Sequence, residues 1–348
     1  MLRFLRASAA NIAILAAATA WFCSSMAASL QAAPPQRGKA TGSVKPSAPA
    51  RQLLHTYHSK RLAMHTDLDA AAARRMLAEL ETDLARMADY WGKPLAGVLD
   101  CQIVGDLKAW PAGTLPEVAR EKVARRAGIT LTETITLNGR PVSATAVLYA
   151  PDEPRVARHE LVHAYCGQTW GATGPLWYAE GMAEMGDGWR RPSPVVCQEV
   201  VARFLRSAAP VAAVRVAQAG SDRSAPRETA DWRTYARRWA LCHLLMHNPN
   251  YSARFHRLGL AYLAGQAADF KTEFSSQLPE LEFEYDYFLK HVTTGYRADL
   301  CAWNWRHPSK PLAAGAALDC RVEAARGWQP SGVSVAAGQR YRYSATGE

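Results

Sequence analysis

The segment Arg158-His-Glu-Leu-Val-His-Ala-Tyr165 places two imidazoles, His159 and His163, four residues apart, with Glu160 beside the first. On a helix that spacing puts both rings on one face, where they can converge on a single ion. Glu160 then stands where a carboxylate can touch a metal-held water without ligating the metal. Sixteen residues separate His163 from Glu180, which lies in Pro175-Leu-Trp-Tyr-Ala-Glu-Gly-Met-Ala-Glu-Met185, where a helix sets Glu180 and Glu184 one turn apart. Two histidines and one glutamate around zinc, with a position left for water, is a catalytic set rather than a structural one. Ligating histidines also need acceptors for their second ring N–H, and Glu184 is placed to be one. The bland alternative is a pair of core histidines and a solvated acidic face. Finding both segments at this separation favours the metal site.

The run His159–His163 followed by Trp177-Tyr-Ala-Glu-Gly-Met-Ala183 resembles the zinc site of gluzincin metallopeptidases, the group that includes thermolysin-like proteases and the large zinc aminopeptidases. The resemblance is carried by roughly residues 150–190. It implies one Zn2+ held by His159, His163 and Glu180, Glu160 as general base, Glu184 behind the ligands, and a peptide or protein substrate. It looks closest to secreted bacterial members with a strand-rich region ahead of the motif. Ala179 stands where the better-known families carry Asn, and the gap between ligands is slightly shorter than theirs. The Gly-x-Met-Glu-Asn segment that captures a free amine in aminopeptidases is missing, so an endopeptidase is the expectation.

A developing oxyanion needs a further donor, and gluzincins take a Tyr or His from a later helix. Tyr235, in Asp231-Trp-Arg-Thr-Tyr-Ala-Arg-Arg-Trp239, is the candidate; His243 reads as a packing histidine. Arg233, Arg237 and Arg238 read as a solvated helix face. His55, His58 and His65 share neither a helix face nor a strand face throughout, so they read as ordinary polar residues.

These residues need a scaffold, and the patterning suggests an α+β chain: a strand-rich N-terminal part, then a helical zinc-binding region, then the start of a small β-domain. Residues 57–66 read as one strand. Asp67 is the expected cap of a helix in which Leu68, Ala72, Met76, Leu80, Leu84 and Met87 recur at helical spacing. A short strand is expected over 98–104 and a helix over 115–127. Ile129 to Leu137 alternates apolar and polar residues as a half-buried strand does. Asn138-Gly139 then signals a hairpin into a strand over 142–149. Helices are expected at about 154–168, 175–187, 194–206, 230–247 and 279–293. Residues 301–348 form a β-rich segment with a hairpin over 332–343. The chain stops where more strands would be expected, as a truncated module does. A non-proteolytic zinc-binding module, whose β-region binds carbohydrate or another surface, is the alternative.

Arg3 and Arg6 precede an apolar run from Ala7 to Phe22, and Ser25-Met-Ala27 fits a signal-peptidase site. Residues 1–27 therefore read as an export signal, 28–52 as a flexible linker and 53–300 as the metallopeptidase domain. The expectation is a periplasmic or extracellular protein with no stable membrane span once the signal is cleaved. The net charge of +10 draws six cations from residues 1–51, where there is no acid, so nucleic acid is not an expected partner. Six cysteines follow the signal, an even number that makes disulfides plausible on export, with Cys301–Cys320 the expected pair.

Overall fold

Thr130 and Thr132 point to one side of a sheet and Ile129 and Leu131 to the other, and both sides are covered. The sheet belongs to a computed structural model that describes residues 12–17 (backbone only), 54–137, 140–186, 193–219, 231–323 and 327–346. Its strands are β1 (Ile12–Ala17), β2 (His55–His58), β3 (Leu62–Thr66), β4 (Leu99–Val104), β5 (Ile129–Leu137) and β6 (Arg140–Pro151). They lie in the order β1-β5-β6-β4-β3-β2. β3 with β4 and β4 with β6 are parallel, and the remaining neighbours are antiparallel. β1 falls inside the stretch read as an export signal; the rest of residues 1–53 lies outside the described residues.

The segment expected as one strand over 57–66 is a tight hairpin. Lys60 and Arg61 turn the chain, and the Ser59 amide donates to the Leu62 carbonyl. Asp67 does not cap the next helix. Asp69 does, accepting from the amides of Ala71 and Ala72, and α1 runs Ala70–Trp91. Asp67 is instead buried, accepting from the amides of Gly105 and Asp106 and from Trp110 Nε1. α2 spans Glu117–Ala124, inside its expected range. β5 and β6 pair across Leu137 and Arg140, while the expected turn residues 138–139 lie outside the described residues. β5 is half-buried only in part. Its far end leaves Ile135 and Leu137 more than half exposed.

β6 leads directly into α3 (Pro154–Trp170), which opens on proline and ends at Gly171 in the left-handed conformation. A short loop then reaches α4 (Leu176–Ala183), which stops before the expected 187. α3 lies on the Thr130 side of the sheet and packs against α1. On the opposite side, α2 buries Ala119 and Val123 against Ile129, Tyr149, Val104 and Trp110. The alternation of β5 therefore sends its apolar residues to α2 and its threonines to α3.

Later come α5 (Glu199–Ser207), α6 (Ala213–Gln218), α7 (Trp232–His247), α8 (Ser252–Leu263), α9 (Phe270–Glu273) and α10 (Leu278–His291). Two compact units result. The first holds residues up to Pro192 with Ala219–Trp239 and Gly259–Ala267; the second holds Ser193–Gln218, Ala240–Leu258 and Ala268 onward. In the second unit, the expected hairpin over 332–343 does not form. Val333–Ser334 (β8) pairs in parallel with Lys310–Pro311 (β7), and residues near Tyr343 remain exposed. No described helix is long and apolar enough to cross a membrane. The six described cysteines are all thiols, so the expected Cys301–Cys320 bond is not formed. Cys101, Cys166 and Cys242 sit buried in the packing, where burial pushes each thiol pKa up.

Candidate metal centre

Three faces of α3 do three different things. Arg158 turns toward α1, Glu160 and Gly167 toward β5, and His159 and His163 toward α4. Arg158 Nε donates to Asp83 Oδ2 at 3.2 Å and its Nη2 to Glu79 Oε2 at 2.6 Å. Farther along, Gln168 Oε1 accepts from the Ala146 amide, and its Nε2 donates to the carbonyls of Ala96 and Val98. These contacts settle how the helix is rotated on the sheet, and hence where the imidazoles point.

α4 brings the carboxylate. Its Tyr178 hydroxyl accepts from Trp91 Nε1 at 2.9 Å, at the end of α1. That ring fits only because residue 259 is glycine: a Cβ there would stand 2.2 Å from the Tyr178 hydroxyl. So seated, α4 directs Glu180 at α3. His159 Nε2 and His163 Nε2 are 3.2 Å apart, and Glu180 Oε2 lies 3.4 Å from the first and 3.6 Å from the second. The three form the group that could hold a metal ion among the described residues. Glu180 Oε2 is buried and makes no hydrogen bond, an arrangement that costs free energy unless something else meets that oxygen.

Burial alone would lower the His159 pKa; the carboxylates of Glu180 and Glu184 beside it outweigh that and hold the ring well above the usual histidine range. Burial would likewise raise Glu180, but His163 and His159 pull it down to about 2. Glu184 Oε1 stands 3.1 Å from His159 Nδ1, on the side of the ring away from the shared point. Tyr235 opens α7, its ring centroid 6.3 Å from that of His159. Burial, then the charge of Glu180, pushes its hydroxyl pKa far up, so it stays protonated. Lys122 on α2 feels the same carboxylates: burial lowers its pKa, and Glu160 and Glu180 draw it partly back.

All six residues singled out from the sequence therefore lie in one unit, with His159, His163 and Glu180 grouped and Glu184 against His159. Arg238 is a correction. It is buried rather than solvated, its guanidinium 5.7 Å from the Tyr235 ring centroid, because α7 turns that face inward. His243 is a packing histidine, stacked on Phe288. His65 pairs with Thr56 across the β2–β3 hairpin, in keeping with an ordinary polar role.

Sequence reasoning missed Thr130. Its Oγ1 lies 2.9 Å from Glu160 Oε2 and the same distance from the Glu160 carbonyl. The sequence offers no signal for it beyond Gly128 two residues earlier, because a threonine alternating with Ile129 and Leu131 reads as an ordinary strand residue. The chain matches no protein-family model and no curated protein.

Proposed function

We propose that this chain is an exported zinc-dependent hydrolase that cleaves internal peptide bonds of a peptide or protein substrate. The supporting observation is the triangle of His159 Nε2, His163 Nε2 and Glu180 Oε2, with sides of 3.2, 3.4 and 3.6 Å. Ligands about 2.0–2.1 Å from a tetrahedral zinc stand about 3.3–3.4 Å from one another. Three such atoms converging without the ion would leave a buried carboxylate oxygen unmet, as at Glu180 Oε2. Nitrogen and carboxylate donors in this ratio suit zinc, and the resemblance to gluzincins at His159–His163 and Trp177–Ala183 points the same way.

Zinc bound here supplies a Lewis acid for the scissile carbonyl and lowers the pKa of a coordinated water toward about 7. The chain's own groups do the rest. Glu160 accepts the proton of the attacking water and hands it to the departing amine. Tyr235, kept protonated by burial, donates its O–H to the carbonyl oxygen as negative charge develops there. With the metal bound, Glu184, whose Oε1 lies 3.1 Å from His159 Nδ1, favours the Nδ1–H tautomer, which leaves Nε2 with a lone pair. Export is supported by Arg3 and Arg6 ahead of the apolar run to Phe22.

The test combines metal analysis with cleavage of casein and of quenched peptides by the wild type and Glu160→Gln. We expect one zinc per chain in both proteins, and a rate loss of about 10²–10⁴-fold in the variant. A wild type that carries its zinc yet cleaves no faster than Glu160→Gln would remove the peptidase reading and leave a binding module.

A further inference from the structure

β5 contributes none of the three grouped ligand candidates, yet Gly128 just ahead of it and Thr130 on it flank the Glu160 side chain. Thr130 is 3% exposed and faces α3. Its Oγ1 lies 2.9 Å from both Glu160 Oε2 and the Glu160 main-chain oxygen. A threonine hydroxyl has one proton to donate, so the two acceptors share it. One atom thereby ties the end of the side chain to the backbone of the same residue, which restricts the torsions between them.

Gly128 bounds the other side. A Cβ at that position would stand 2.4 Å from Glu160 Cγ and 2.8 Å from Oε1. Glycine is required here for space, so that the carboxylate can lie against the strand. If Thr130 were only a buried hydroxyl needing a partner, the main-chain oxygen alone would satisfy it. The second contact, together with the vacant Cβ position opposite, fits a slot cut to the shape of one side chain.

We infer that Thr130 is a positioning residue for Glu160, and that Gly128 and Thr130 together preset the carboxylate for proton transfer. The inference rests on Glu160 acting as the general base. A base must sit within hydrogen-bond reach of the proton it takes, and catalytic groups hold their geometry through such supporting contacts. Thr130 touches no reacting atom and acts through Glu160.

The experiment uses the full chain with Thr130→Val, Thr130→Ser and Gly128→Ala. Three quantities are read: zinc content, the separate values of kcat and KM on a quenched peptide, and a crystal structure of each metal-free protein. Thr130→Val keeps one zinc per chain and its KM, and loses about 10²-fold in kcat. Thr130→Ser, which restores the hydroxyl, recovers most of that loss. In metal-free Thr130→Val, the Glu160 carboxylate moves by more than about 0.5 Å while His159 and His163 stay in place. Gly128→Ala displaces the same carboxylate from the opposite side and gives the test a second route should the valine variant fold poorly. An unchanged kcat in zinc-loaded Thr130→Val, a loss that serine does not rescue, or an unmoved carboxylate overturns the inference. If the wild type shows no Glu160-dependent cleavage, the proposed function fails first. The metal-free structures still decide separately whether Thr130 sets the carboxylate.

Discussion

Arg158 and His159 are neighbours in the chain with opposite surroundings. The guanidinium is 4% exposed and Asp83, its partner, is 0% exposed, so two charges are held away from water on the α1 side of the helix. Glu79 adds a second carboxylate at 2.6 Å. Such a cluster need not be more stable than an apolar replacement, but removing one member strands the others. Arg158→Ala should therefore destabilise the protein by about 3–5 kcal/mol in denaturant unfolding. Replacing Arg158 by Met and Asp83 by Leu together should recover most of that. A loss below about 1 kcal/mol for the single change would show that Asp83 finds water when the arginine leaves. The cluster lies on the α1 side of α3, whereas His159 and His163 face α4. Its contribution to function is rotational: it holds α3 so that His159 and His163 face Glu180.

At the level of elements, the decisive approach is that of α3 to β5. A Cβ on Gly167 would stand 2.5 Å from Thr132 Oγ1, a distance real Cβ atoms essentially never show. Helix and strand are therefore as close as a glycine permits. Two turns earlier on the same face, Glu160 meets Thr130. Gly167→Ala should push the C-terminal half of α3 outward, at a cost of about 1–3 kcal/mol in stability. Because Thr132 adjoins the Thr130 region through one strand, activity should fall alongside it. Thermal unfolding and peptide cleavage on the same preparation check this, and an alanine variant of wild-type stability would mean that β5 yields to accommodate the methyl. α4 depends on a similar close approach, with Tyr178 lying over Gly259 and bonded to Trp91.

Across the whole molecule, the second unit carries buried polar groups of its own, none of them used by the proposed chemistry. Glu284 accepts from Asn248 Nδ2, Asn250 Nδ2, Tyr251 Oη, Trp305 Nε1 and the Trp303 amide, which pins residues 303–305 to α10. His243 and His247, one turn apart on α7, have their pKa values lowered by burial to about 3 and about 4; Asp299 pulls both partly back up. Folded, both rings are neutral through the ordinary pH range. Unfolded, they take up protons below about 6.5. Stability is thus unaffected above that value and is lost as pH falls from about 6.5 toward the folded values, at up to about 2.7 kcal/mol per pH unit. Denaturant unfolding of the wild type at pH 7 and pH 5, against His243→Gln/His247→Gln, should show the wild type losing about 2–4 kcal/mol more. Equal losses would place the acid sensitivity elsewhere.

What the sequence determined by itself was local. Imidazoles four residues apart, the carboxylate beside the first, and Pro175 opening a second helix toward Glu180 all follow from helical spacing and capping, and so did the hairpin ladder from Ile129 to Tyr149. The tertiary structure decided the relations between distant segments. It took Asp67 from a helix cap to a buried acceptor, turned Arg238 inward against Tyr235, and paired β8 with β7 in place of a local hairpin. Above all, it set Thr130 and Gly128 against Glu160 across 30 residues of chain. The physical reason is that periodicity reports which face of an element is buried, whereas the identity of the covering surface depends on how β5, α1 and α4 pack around α3. A threonine on a strand reads the same whether it meets solvent or a carboxylate.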